Sequence, residues 1–73
     1  MNKWCIDIML KGRHAELKCI WKSSYRSSTD IANEILSVRP QDFVSFYSFD
    51  MERNILVKAE AIEYLEIYPF EEG

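Results

Sequence analysis

Apolar and polar residues in the first 25 positions sort by parity about one point. Gly12-Arg13 supplies a two-residue turn with glycine at the first central position, as a type II′ turn demands. Folding the chain there pairs residues whose numbers sum to 25. Leu10 meets Ala15, Ile8 meets Leu17, Ile6 meets Cys19 and Trp4 meets Trp21, all on one face. The other face takes Lys11–His14, Met9–Glu16, Asp7–Lys18 and Cys5–Ile20. A slip by one residue would destroy this sorting. The pattern predicts a β-hairpin with strands at residues 3–11 and 14–22, closed by a tryptophan pair.

Beyond Lys22 the period changes. Ser23 to Ser28 is a polar connection, in which Ser27 with Asp30 fits a capping box and Ser28 is a rival cap. Ile31, Ile35 and Val38 recur at i, i+4 and i+7, with Leu36 beside them. This is the stripe of an amphipathic helix over about 28–38, ended by Arg39-Pro40. Residues 43–49, Phe-Val-Ser-Phe-Tyr-Ser-Phe, have strand propensity and apolar side chains at both parities. That reads as a central strand. A turn at Asp50–Asn54 leads into Ile55–Lys58. Residues 59–68 fit either a helix or a strand. The aromatic and β-branched content of Ile62, Tyr64, Ile67 and Tyr68 favours a break near Glu60–Ile62 and then a strand through Tyr68.

The expected fold is therefore one α+β domain spanning 1–73: a ββαββ(β) antiparallel sheet with one helix on one face. Its C-terminal strands lie within 43–68 and a short acidic tail occupies 69–73. The helix should cover Trp4, Ile6, Ile8, Leu17, Cys19 and Trp21. One helix covers one face only. The second face, with Cys5, Met9, Ile20 and some of Val44, Phe46 or Tyr47, would be left apolar.

Composition sharpens that point. A chain of 73 residues buries only about 60% of its unfolded surface. An aromatic share of 14% exceeds what so thin a core can hide. A second apolar surface implies a dimer interface or a partner site. The net charge of −3 is split: residues 1–39 carry seven Lys/Arg against four Asp/Glu, and residues 40–73 carry two against eight. No apolar run approaches a membrane span of about 18 residues, so no membrane association is expected. The start, Met1-Asn2-Lys3-Trp4, runs into Asp7 and Lys11 and lacks a signal-peptide core. With two cysteines assigned to opposite faces, the expected setting is cytoplasmic, with free thiols.

Little in the chain offers catalysis. The only glycines, Gly12 and Gly73, exclude glycine-rich phosphate loops. His14 lies at a turn with no orienting carboxylate and reads as a solvated residue. Cys5, Cys19 and His14 lack zinc spacing. Cys19, placed beside Ile6, lacks the open electropositive setting a thiolate needs. Paired carboxylates need a cleft, and a domain this thin is expected to have none of ligand size. No catalytic residue, metal or cofactor is expected.

Two surfaces remain. Glu60, Glu63, Glu66, Glu71 and Glu72, with Asp42, Asp50 and Glu52, read either as a solvated face or as an acidic stripe that docks on a basic protein groove. The hairpin carries Lys3, Lys11, Arg13, Lys18, Lys22 and Arg26 against Asp7 and Glu16. Lys3, Arg13, Lys18, Lys22 and Arg26 could contact single-stranded nucleic acid by charge, with tryptophan stacking. Against this, the tryptophans fall on the expected core face, and an overall acidic chain repels phosphate.

The segments Trp4-Cys5-Ile6-Asp7-Ile8-Met9-Leu10-Lys11-Gly12 and Ile55-Leu56-Val57-Lys58-Ala59-Glu60-Ala61-Ile62-Glu63-Tyr64-Leu65-Glu66-Ile67 carry a resemblance. In pattern and element order the chain resembles small single-domain accessory proteins of Gram-positive bacteriophages and prophages. The resemblance implies a protein that binds and modulates or inhibits a larger host protein, including nucleases of bacterial defence systems.

The expectation is a non-enzymatic protein-protein interaction module that forms a homodimer. Its protein partner is basic or nucleic-acid-binding, met through Met9, Ile20, Phe46, Glu63, Glu66, Tyr68 and Glu71. A nucleic-acid-binding module using the basic hairpin is the alternative.

Overall fold

The computed structural model describes residues 2–23 and 27–71. Five antiparallel strands form one sheet: β1 (Asn2–Leu10), β2 (Leu17–Ser23), β3 (Phe43–Ser48), β4 (Arg53–Lys58) and β5 (Ile62–Pro69), in the order β4-β3-β2-β1-β5. One helix, α1 (Ser28–Leu36), packs on one face. The chain has the α+β architecture expected from its periodicities.

The hairpin register is the one read from parity. Trp4 pairs with Trp21, Ile6 with Cys19 and Ile8 with Leu17. The turn differs from expectation. Arg13 N donates to Leu10 O at 3.1 Å, so the turn runs Leu10-Lys11-Gly12-Arg13. Gly12 occupies its third position with φ +79°, where a type II turn requires positive φ. The cause is the neighbouring strand. Lys11 N donates to Ala61 O at 2.9 Å, which carries β1 on along β5. The pairs expected nearer the turn, such as Lys11–His14, lie outside the ladder.

Ser27 caps α1, its hydroxyl accepting from Asp30 N at 3.3 Å and donating to the Asp30 carboxylate at 3.0 Å. Ser28 is the first helical residue. Ile31 and Ile35 are buried, whereas Leu36 is 77% exposed. The helix closes one turn before Pro40: Ser37 N and Val38 N return to Asn33 O and Ile35 O.

The core comprises Trp4, Ile6, Ile8, Cys19, Ile31, Ile35, Val44, Phe46 and Val57, with Leu17, Trp21, Leu65 and Ile67 packed around it. Residues Ala59–Ala61 form a single 3₁₀ turn before β5, the expected break. β5 pairs with β1 from Trp4–Pro69 to Leu10–Ile62. A bulge opposite Met9–Leu10 leaves Glu63 as the extra residue. β3 lies second from the edge and alternates, burying Val44, Phe46 and Ser48 and exposing Phe43, Ser45 and Tyr47.

Candidate functional site

The helix leaves the second sheet face bare. Register places Tyr68, Cys5, Ile20, Tyr47 and Asn54 side by side, one from each of the five strands. This row is polar only at its β4 end. Tyr47 is 42% exposed and Tyr68 40%. Phe43, Phe49 and Leu56 add further exposed apolar surface.

Asp7 is the polar centre of this face. It is buried, yet its carboxylate accepts from the Tyr68 hydroxyl at 3.1 and 3.0 Å and lies 3.6 Å from Lys18 Nζ. The hydrogen bond to Asp7, then desolvation, pushes the Tyr68 hydroxyl up to about 12. Burial and the Asp7 charge also raise the Cys5 thiol. Burial, with the charges of Asp7 and Asp50, pushes Cys19 up to about 11. Both thiols are therefore protonated near neutral pH and neither is an activated nucleophile. The cysteines are unbridged, on opposite faces. Among the described residues no group of His, Cys, Asp and Glu could hold a metal ion.

Beyond Ile20–Tyr47 the sheet opens. Among the described residues, β2 and β3 pair only at Cys19–Ser48 and Ile20–Tyr47. A shallow groove of about 600 Å³ lies there, with Trp21 and Lys22 from β2, Tyr47 and Phe49 from the β3 side, and Lys3 from β1. A second groove, of about 480 Å³, is lined by Ile35 and Leu36 of α1 and by Ile62, Glu63 and Tyr64. The expectation that the domain has no cleft of ligand size is thereby corrected. Both volumes fall within the roughly 300–1,000 Å³ of small-molecule sites. The first groove begins where the β2–β3 ladder ends, and the second lies between α1 and the start of β5.

Of the expected partner contacts, Met9 and Ile20 lie half-buried on the open face, and Glu66 and Tyr68 lie exposed on it. Phe46 does not. It is 1% exposed in the core, because pairing Tyr47 with Ile20 turns Phe46 towards the helix. Glu63, at the bulge, borders the second groove, so Glu63 and Glu66 do not form one continuous stripe. Glu71 is exposed beyond β5.

The basic set is also divided. Arg13 and His14 are exposed in the hairpin loop, Lys18 bridges to Asp7, and Lys3 and Lys22 are direct cross-strand partners at the opposite end. Arg26 lies outside the described residues, as do positions 24 and 25 of the serine-rich connection. The tryptophans separate: Trp4 is buried, while Trp21 is half-buried and lines the first groove. Sequence reasoning left open which of Val44, Phe46 and Tyr47 faces outward, and the structure selects Tyr47, with exposed Phe49 beside it, while Trp21 stays on the helix-covered face against Phe46. The parity of Tyr47 with Ile20 was the available signal.

Among the described residues no helix is long and apolar enough to cross a membrane. Compared with protein-family models, curated proteins and solved structures, the chain matches none.

Proposed function

We propose that this chain is a non-enzymatic interaction module that docks a larger protein on its open sheet face. One observation carries the reading: the row Tyr68–Cys5–Ile20–Tyr47 crosses four strands on a face no helix covers. Tyrosine anchors interfaces well, because it buries a large ring while keeping a polar tip. The molecule's Cα extents of 33 × 25 × 18 Å make its broadest side large enough to present a patch of the roughly 800 Å² that each partner buries in a standard interface. Glu66, on the same face, favours a basic rim on the partner. In the setting implied by the phage-type resemblance, the partner is a host protein whose action is modulated or inhibited. A homodimer on this face is the competing use of the same surface.

The test combines light scattering with capture from a bacterial host lysate, using wild type, Met9→Glu and Ile20→Glu. The expected result is a monomer that captures one discrete protein, with capture lost in both folded variants. Equal capture by all three overturns the reading. So does a stable dimer that both variants dissociate, because the face is then spent on a second copy.

A further inference from the structure

We propose that the edge of β5 beside α1 binds an extended peptide segment in which basic residues alternate with apolar ones, adding it to the sheet as a sixth strand. This surface is separate from the open face and takes a strand rather than a folded surface.

β5 is one of the two outer strands, paired among the described residues with β1 alone. Phe70 N donates to Lys3 O at 3.2 Å, so these two residues form a hydrogen-bonded pair of the antiparallel ladder. Such pairs alternate with non-bonded ones. The register then makes Cys5–Tyr68, Asp7–Glu66 and Met9–Tyr64 hydrogen-bonded too. Leu65 and Ile67 fall between them and turn their N–H and C=O groups away from β1, towards the free edge.

Sheet edges in native proteins are commonly guarded against added strands. On β5 the guards stand at the ends: the bulge at Glu63, and Pro69, which has no N–H to donate. The stretch Tyr64–Tyr68 lies between them, and Leu65 and Ile67 are its edge-facing residues.

The groove of about 480 Å³ runs along this edge. Leu65 has the helix-side parity of β5, Tyr64 has the open-face parity, and Leu36 comes from α1. A space touching all three passes round the outer side of the strand. Its remaining walls are mainly apolar, with Ile35, Val38 and Ile62 among them. Leu36 stands largely exposed there.

These features define the occupant. Side chains of an added strand alternate between the two faces. Those beside Leu65 and Ile67 turn towards α1 and the groove, which calls for apolar groups. The one between them lies beside Glu66 on the other face, and Glu63 borders the groove. Glu60, also at the groove, is bridged by Lys58 at 3.7 Å. Glu63 and Glu66 therefore call for basic groups on the partner. The same charges disfavour a second copy, because pairing β5 with itself sets acidic strand against acidic strand.

The experiment titrates the full chain into a fluorescein-labelled peptide of about six residues that alternates lysine with valine, read by anisotropy at about 50 mM salt. The same peptide with methylated backbone amides, and one alternating glutamate with valine, are the controls. Amide hydrogen exchange of the protein is followed by NMR with and without peptide. The expected result is saturable binding of the first peptide alone, weakened about threefold or more by Leu36→Ala and by Glu63→Lys. Exchange at the Leu65 and Ile67 amides should slow about tenfold or more on binding. Circular dichroism verifies the fold of both variants. Equal binding of the methylated peptide reduces the attraction to charge and overturns the proposal. So does absence of binding, or unchanged affinity in either variant. A dimer in which the Leu65 and Ile67 amides already exchange slowly without peptide also overturns it, because a second copy then holds the edge. Neither variant nor probe is shared with the docking test, so the two readings fail separately.

Discussion

Tyr68 donates its hydroxyl to Asp7 across the β5–β1 pair, 3.1 and 3.0 Å from the two carboxylate oxygens. The residues are 61 positions apart in sequence, so this bond links the last strand to the first on the open face. Asp7 is buried, and Lys18 Nζ lies 3.6 Å from its carboxylate. A buried carboxylate that loses a donor keeps its desolvation cost.

Tyr68→Phe should therefore destabilise the fold by about 1 kcal/mol, an amount moderated by the exposure of Tyr68. The same variant has a spectroscopic signature. Tyr68 ionises near 12 in the folded protein, above its ordinary 10.0, so its contribution to stability is complete below pH 10 and is lost as pH rises towards 12. Phenolate absorbance should show a late-titrating tyrosine in the wild type that Tyr68→Phe lacks. Titration of every tyrosine near 10 in the wild type would refute this.

Cys19 makes an analogous prediction one layer deeper. Burial, then the charges of Asp7 and Asp50, raises its thiol from 9.0 to about 11. The folded state holds the proton that the unfolded chain releases. The stabilisation is thus present below pH 9 and lost between 9 and about 11, amounting to ~2 kcal/mol. Urea unfolding of wild type and Cys19→Ala at about pH 8 and about pH 11 isolates the effect. Wild type should be the more stable at the lower pH, and its advantage should shrink by about that amount at the higher. A constant difference would mean that the thiol does not titrate with folding.

The hairpin was legible in the sequence because its parity is unambiguous: every pair from Ile8–Leu17 to Trp4–Trp21 agrees in character. The cap at Ser27 and the break before β5 were legible for a similar reason, each being a local signal. The face of β3 was not. Phe-Val-Ser-Phe-Tyr-Ser-Phe is apolar at both parities, so only the long-range pairs Cys19–Ser48 and Ile20–Tyr47 decide which rings go inside. The β2–β3 groove was hidden for the same reason, since it begins where that ladder stops. Even the turn at Gly12 depended on a tertiary contact, the bond from Lys11 to Ala61.

Phe46 and Tyr47 turn this into a direct test. They are adjacent in β3 and both aromatic, but Phe46 is 1% exposed and Tyr47 42%. Phe46 touches the Trp21 ring and lies in the core with Ile6, Ile8 and Ile31. Truncating it removes buried area and leaves a cavity, so Phe46→Ala should cost about 3–5 kcal/mol. In a domain whose whole stability is of the order of 5–15 kcal/mol, that is a large share of the total. Tyr47→Ala opens no cavity. It loses cross-strand contact with Ile20 and Asn54, which is worth at most about 1 kcal/mol. Thermal unfolding of the two variants, followed by circular dichroism, should give a large loss for the first and a small one for the second. The reverse order, or equal losses, would place Tyr47 in the core and remove the open face on which the proposed docking depends.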